Sequence, residues 1–320
     1  YPLRRKRQMC IRDRSIIMDM KKILLLGATG MAGHIAYHYL KETGRYKLVD
    51  VVYRTPLTPD SIVVDVNNWN NVVEVVKAQK PDIILNCIGI LIAGAKKDPA
   101  NAIYINACLP HRLKTLADEM GAKLIHISTD CVFSGKKGNY TEDDFKDADD
   151  TYGRSKALGE IVDDNHLTLR TSIVGPELKA NGEGLFHWFM HQEKQCMGYK
   201  TAIWGGVTTL ELAKVVDYVI QNPITGLVQV SNGEGINKFD LLQLFKETWH
   251  SGIEIVPVDK NGVDKSIARS QRLAYDVPSY KQMLTELKQW MDGHASLYAA
   301  NYPMEQGLSL IHISEPTRPY

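Results

Sequence analysis

The segment from Lys22 to Gly33 constrains this chain more than any other. A strand expected over 22–26, apolar through Ile23-Leu24-Leu25-Leu26, ends in Gly27-Ala28-Thr29-Gly30-Met31-Ala32-Gly33, where a helical pattern takes over. Ile35, Tyr39 and Leu40 then recur at helical spacing. A strand that turns through glycines directly into a helix opens a βαβ unit. Glycines let the backbone turn tightly and approach a ligand closely. The first helical turn offers unpaired N–H groups at the positive end of its dipole. Such a turn suits a pyrophosphate, with Gly27, Thr29, Gly30, Met31, Ala32 and Gly33 around it. The spacing is G-x-x-G-x-x-G, not G-x-G-x-x-G, so its weight rests on the flanking strand and helix.

That context continues along the chain. Apolar runs predict strands over 47–53, 61–66, 82–87, 123–128 and 167–174. Helical spacing predicts helices over 31–42, 72–79, 100–120 and 152–161. Strands separated by helices imply a parallel sheet covered on both faces. The expected fold is α/β, a Rossmann-type doubly wound parallel sheet with a smaller, partly interleaved α/β substrate domain. After Gly175 the pattern loosens. It predicts helices over 184–193, 208–221, 239–250 and 280–291, and strands over 227–230 and 254–258. A dinucleotide-binding domain is expected over 18–175 and a substrate-binding part over 176–308, with 205–235 partly returning to the first.

Composition narrows the function classes. The chain has 320 residues, 44% apolar and 23% charged, which excludes disorder as its main state. The apolar stretch 83–95 is interrupted by Asn86 and is shorter than the ~20 residues of a spanning helix, so no membrane partner is expected. The net charge of +1 conceals an asymmetry. Residues 1–17 carry six cations (Arg4, Arg5, Lys6, Arg7, Arg12, Arg14) against Asp13, which leaves the remainder at −4. The first residues, to Asp13, and 309–320 are similar to translated adapter DNA. The arm 1–17 and the tail 309–320 are therefore expected to be non-native, with a natural start at Met18 or Met20. With the arm set aside, no basic patch for nucleic acid remains. The five cysteines form no Cys-x-x-Cys pair, which points to free, buried thiols in a reducing, cytoplasmic setting.

The end of the second strand selects the cofactor. A carboxylate ~20 residues beyond the glycines would bond the ribose hydroxyl of NAD, whereas an arginine suits the extra phosphate of NADP. Counting from Gly33 reaches Tyr53 and then Arg54, while Asp50 lies mid-strand. NADP(H) is favoured and NAD(H) stays open. Asp65, beside Val66 at the end of strand three, is a candidate for the adenine amino group. A second motif, Tyr152-Gly-Arg-Ser-Lys156, puts Tyr and Lys on one helix face. An ammonium near a phenol lowers its pKa from ~10 and makes it a usable proton donor and acceptor. The pair can equally be an exposed helix pair without function.

A third motif, Ser128-Thr129-Asp130-Cys131-Val132-Phe133-Ser134-Gly135, follows strand five. Asn86, Arg170-Thr171-Ser172 and the stretch 205–213 join it. Together these motifs resemble the extended short-chain dehydrogenase/reductase family, and within it the sugar-nucleotide reductases of the dTDP-4-dehydrorhamnose reductase type. The resemblance covers nearly all of 20–295. It implies NAD(P)H-dependent reduction of the C4 ketone of a nucleotide-linked 4-keto-6-deoxy sugar, in deoxysugar synthesis for the cell surface. It assigns Thr129, Tyr152 and Lys156 to catalysis, and Tyr152 and Lys156 also to the cofactor. It places Cys87, Ile88 and Gly89 along the cofactor, and Thr129 and Asp130 at the sugar.

Three departures surround the expected sugar pocket. Cys131 stands where related dehydratases have Glu and reductases usually Tyr. Ile173 follows Arg170-Thr171-Ser172 where Trp is usual. Residues 148–151 lack the usual Pro and Asn. The resemblance therefore leaves the sugar and nucleotide open. The alternatives are a non-catalytic regulatory subunit of the same fold and a sugar-nucleotide epimerase. The pairs His34/His38 and His187/His191 have metal-like spacing but no His-Glu-x-x-His pattern, and surface or pocket-lining roles are expected for them. A homodimer stays open.

Overall fold

The structure, a computed structural model, describes residues 20–260 and 262–304. The expected arm 1–17, the tail 309–320 and Cys10 lie outside the described residues. Seven parallel strands form the main sheet, in the order β11-β6-β5-β4-β1-β2-β3. They are β1 (Lys22–Leu26), β2 (Lys47–Val52), β3 (Ile62–Val63), β4 (Ile83–Asn86), β5 (Lys123–Thr129), β6 (Leu167–Thr171) and β11 (Gly226–Gln229). The short strands between β6 and β11 are β7 (Ile173–Val174), β8 (Gln195–Tyr199), β9 (Ala202–Trp204) and β10 (Val207–Thr208).

The strand β1 shows why the sheet is buried on both faces. Ile23 and Leu25 enter one apolar cluster, with Ile35 and Leu40 of the Met31–Glu42 helix. Leu24 and Leu26 enter another, with Val72 and Val76 of the Trp69–Gln79 helix and Leu113 and Leu116 of the Leu109–Met120 helix. A strand dry on both sides has no polar face to alternate. The chain runs outward from β1 through β2 to β3, then returns to β4 on the other flank. That reversal opens a crevice at the carboxyl ends of β1 and β4, where ligands of open α/β sheets bind.

The second half is partly woven into the first. Strand β11 pairs with β6 at the sheet edge, and the Thr209–Gln221 helix packs on the Met31–Glu42 helix. The remaining strands are β12 (Ile236–Asn237), β13 (Glu254–Val258) and β14 (Val263–Asp264). They pair with β8 or β9 in two small sheets, β12-β9-β14 and β13-β8.

Several expected elements need correction. The single helix over 100–120 is three pieces: Pro99–Ile103, a π-helical turn Tyr104–Cys108, and Leu109–Met120. One extra residue in a turn leaves the apolar spacing almost intact, so periodicity does not reveal it. The expected strand 167–174 breaks at Ser172, whose carbonyl accepts from Val207 N–H at 2.9 Å. Strand three shrinks to two residues. His34 and His187 are neither surface nor pocket-lining residues. His34 is fully buried, with Nδ1 at 2.7 Å from the Gly30 carbonyl, and His187 is buried against Tyr302. Cys108 is exposed, unlike the buried thiols expected.

Candidate active site

The turn after β1 is made by its glycines. Gly27 has φ +81°, a region side chains rarely adopt, and its N–H donates to the Val51 carbonyl at 3.1 Å. A Cβ on Gly33 would lie 2.1 Å from the Gly27 carbonyl oxygen, so the helix can start this close to the strand only with glycine there. Gly30 precedes the Met31–Glu42 helix and supplies no side-chain cap. The first N–H groups of the helix therefore stay available.

The loop after β4 is held from below. Cys87 N–H donates to the Leu26 carbonyl at 3.0 Å, tying this loop to β1. The buried Asn86 side chain accepts from Ile88 N–H at 3.2 Å. From the π-helical turn, Asn106 Oδ1 accepts from Ile90 N–H at 2.8 Å. Its Nδ2 donates to the Ile90 carbonyl at 2.9 Å and to Ser155 Oγ at 3.1 Å. Asn106 thus pins the loop to the helix that carries Tyr152 and Lys156. The Gly159 backbone reaches that turn so closely that a Cβ would meet the Asn106 carbonyl oxygen at 1.9 Å.

The helix Thr151–Leu158 begins at Asp150, whose carboxylate accepts from Gly153 N–H at 2.8 Å. Asp150 is therefore the helix cap. A Cβ on Gly153 would stand 2.2 Å from the Cys131 carbonyl oxygen, so glycine lets the helix pack on the turn after β5. That contact brings Tyr152 up to Thr129 and Asp130.

The Thr129 hydroxyl faces the Tyr152 phenol and accepts from Cys131 N–H at 3.1 Å. Burial raises the phenol above its ordinary value, and the neighbouring Cys131 and Asp130 raise it further, against the Thr129 hydrogen bond. Tyr152 is thereby held protonated. Burial also pushes the Cys131 thiol up to about 12, so it carries no thiolate at neutral pH. Burial likewise raises the Asp130 carboxyl, which Lys265 opposes.

Lys156 is buried, and its ammonium donates to the Ile127 carbonyl at 2.8 Å. Burial lowers its pKa to about 8, which leaves it mostly charged at neutral pH. Its Nζ lies 3.9 Å from the point where a Gly89 Cβ would stand, across the crevice floor. Besides burial, the groups that act most strongly on the Tyr152 phenol are Cys131, Thr129, Asp130 and Asp150.

One cleft of about 580 Å³ brings these parts together. Its walls carry Thr29, Gly30, Met31 and Ala32, then Cys87, Ile88 and Gly89, then Thr129, Asp130, Cys131, Tyr152 and Lys156. Gly27 and Gly33 do not line it, because they shape the turn from behind. Arg54, Asp65 and Val66 also lie outside its walls. Arg54 is exposed beyond β2, its guanidinium 4.5 Å from the centre of the Tyr53 ring. The Asp50 carboxylate is buried beneath the Thr58 and Ser61 hydroxyls. Asp65 is exposed after β3 and accepts from Asn67 N–H at 3.0 Å, while the Val66 carbonyl accepts from Tyr104.

Sequence reasoning missed one wall. Glu177, Leu178, Lys179, Glu183 and Gly184, after β7, complete the cleft. The available signal was Gly182-x-Gly184 at the carboxyl end of a strand. A Cβ on Gly184 would lie 2.5 Å from the Met31 methyl, so this loop sits directly against the glycine turn.

Among the described residues, no helix is long and apolar enough to cross a membrane. The family described as the RmlD substrate binding domain matches residues 20–303. A dTDP-4-dehydrorhamnose reductase of Salmonella typhimurium is 28% identical over 257 residues, 76% of this chain and 84% of that protein. A hypothetical dTDP-4-dehydrorhamnose reductase from Sulfolobus tokodaii superposes with a TM-score of 0.71 at 24% identity, over 81% of this chain and 98% of that one. The Bacillus anthracis dTDP-4-dehydrorhamnose reductase in complex with NADP also superposes with a TM-score of 0.71. Its identity is 20%, over 84% of this chain and 98% of that one. At these identities the two structures speak for the fold.

Proposed function

The chain belongs to the RmlD substrate binding domain family, and from that premise we propose that it is an NADP(H)-dependent oxidoreductase reducing the C4 ketone of a nucleotide-linked 4-keto-6-deoxy sugar. The observation that carries this reading is the single cleft in which the glycine turn, Thr129, Tyr152 and Lys156 meet. The residues fit a dinucleotide. Gly27 and Gly33 leave no Cβ between strand and helix, and the uncapped helix start offers N–H groups to a pyrophosphate. Arg54, exposed beyond β2 where no carboxylate faces the crevice, supports NADP(H) over NAD(H). In this reading 18–175 hold chiefly the dinucleotide, and 176–308 chiefly the sugar nucleotide, with 205–235 rejoining the first part.

NADPH, when bound, supplies the hydride that goes to the C4 carbon. The residues of the chain handle the oxygen. Thr129 donates a hydrogen bond to the carbonyl oxygen and orients it. Tyr152, held protonated by burial, gives that oxygen its proton as negative charge develops there. Lys156 fixes the ribose next to Gly89, and its charge favours the phenolate left on Tyr152. Asp130 accepts from a sugar hydroxyl. Cys131 supplies no base, because its thiol stays protonated, and this weighs against a water-eliminating dehydratase.

The test is a panel of dTDP- and UDP-linked 4-keto sugars, with NADPH consumption followed for the wild type and Tyr152→Phe. Turnover with one such sugar, lost in the variant, supports the reading. Absence of turnover with every member, with nucleotide binding intact, would falsify it and leave the non-catalytic subunit. Tightly retained NAD without net consumption would indicate the epimerase.

A further inference from the structure

The loop 177–184 and the glycine turn form adjoining lips of the cleft, and one short segment near residue 300 grips both. On the first lip, the Tyr302 oxygen accepts from Glu177 N–H at 2.7 Å, and Asn301 Nδ2 donates to the Leu178 carbonyl at 2.9 Å. Tyr302 is itself fixed. It is buried, and its oxygen lies 2.6 Å from His187 Nδ1. His187 Nε2 faces the Ala180 carbonyl at 3.2 Å, so it carries the proton, and Tyr302 donates its own to Nδ1. On the second lip, Tyr298 bonds His34 Nε2 at 3.0 Å, and His34 Nδ1 donates to the Gly30 carbonyl at 2.7 Å. The Glu177 carboxylate closes the loop on itself, accepting from Gly184 N–H at 2.6 Å, which sets Gly184 against Met31.

We propose that Tyr302 and Asn301 are positioning residues for the dinucleotide, because they strap the 177–184 loop down over Met31 of the glycine turn. The inference rests on reading the cleft as the dinucleotide site. Neither side chain lines the cleft. They act through backbone groups of Glu177 and Leu178, two residues that do line it. Losing the strap frees one lip and leaves Thr129, Tyr152 and Lys156 where they are. Dinucleotide binding therefore weakens while the chemical step persists.

Tyr302→Phe keeps the ring and removes only the hydroxyl. Asn301→Ala removes the second tie from a less buried position. Dissociation constants for NADPH are measured by calorimetry for both variants, the wild type and Tyr218→Phe. The last loses a tyrosine hydroxyl bonded to the Ala274 carbonyl, away from the cleft. Amide exchange of 177–184 is followed in the cofactor-free proteins. The expected result is a dissociation constant and KM for NADPH raised about threefold to tenfold, the effect of one hydrogen bond. The kcat stays within about twofold, Glu177 N–H exchanges faster, and Tyr218→Phe matches the wild type. If Tyr302→Phe does not fold, Asn301→Ala decides alone. Unchanged dissociation constants in the folded variants, beside a wild type that binds, overturn this inference only. A wild type that binds no dinucleotide overturns the functional reading and this inference with it.

Discussion

Burial is the largest influence on the Tyr152 phenol. The phenol is also raised by Cys131, Asp130 and Asp150, while one N–H of the Lys156 ammonium is held by the Ile127 carbonyl. In the proposed reaction a tyrosine so placed enters as a donor with its proton in hand. Tyr152→Phe should lower kcat by about 10²- to 10⁴-fold, the usual share of a general acid, with the NADPH dissociation constant nearly unchanged. Lys156 makes a different prediction. Its pKa is lowered by burial to about 8, so the ammonium is lost as pH rises through that value. The kcat/KM profile should fall on the alkaline side near 8, and a flat profile to pH 10 would remove Lys156 from its role. His34 answers at the acid end. Burial lowers it from 6.5 to about 4. Between these values the unfolded chain binds a proton that the folded chain refuses, so stability falls as pH is lowered through the window. The loss reaches up to about 3 kcal/mol. Denaturant titrations at both ends should show a shallower pH slope for His34→Gln than for the wild type, and equal slopes would contradict the assignment.

At the scale of elements, close backbone approaches decide where side chains can meet. Gly33 lets a helix start against β1, and Gly153 lets another rest on the turn after β5. Gly33→Ala should destabilise by about 3 kcal/mol or more, read as a lowered unfolding midpoint, because backbone cannot yield as a side chain can. The π-helical turn is the second device. It lets Asn106 satisfy both polar groups of Ile90 and reach Ser155 at once. Asn106→Ala leaves a donor and an acceptor unpaired and should cost about 2 kcal/mol. The sequence reports these elements unevenly. Strand β1, the Met31–Glu42 helix and strand β13 match their expected bounds, because each has a clear period between breakers. The Ile92–Lys97 helix is hidden within an apolar run that shows no period of its own. The π-helical turn is hidden because it shifts the spacing by a single residue.

The whole molecule gathers at one crevice what the sequence spreads from Thr29 to Gly184. Motif chemistry and the strand–helix alternation were legible, because both depend on local order. The placing of the 177–184 wall, and the strap from residue 300, were not. Gly182-x-Gly184 marks the loop, but the bonds that place it span more than a hundred residues, from Tyr302 to Glu177 and from Tyr298 to His34, and no local pattern encodes those bonds. The net charge was misleading in the same way. What the crevice offers an anion is backbone N–H groups and a helix start, which carry no formal charge. The most direct measurement of the reaction is isotope transfer. The purified protein is given a dTDP- or UDP-linked 4-keto-6-deoxy sugar and NADPH deuterated at its transferable position, and the sugar product is read by NMR. The expected result is one deuterium on C4 in a single configuration. Product without label, or label lost to water, would contradict a reductase and leave the fold serving some other chemistry.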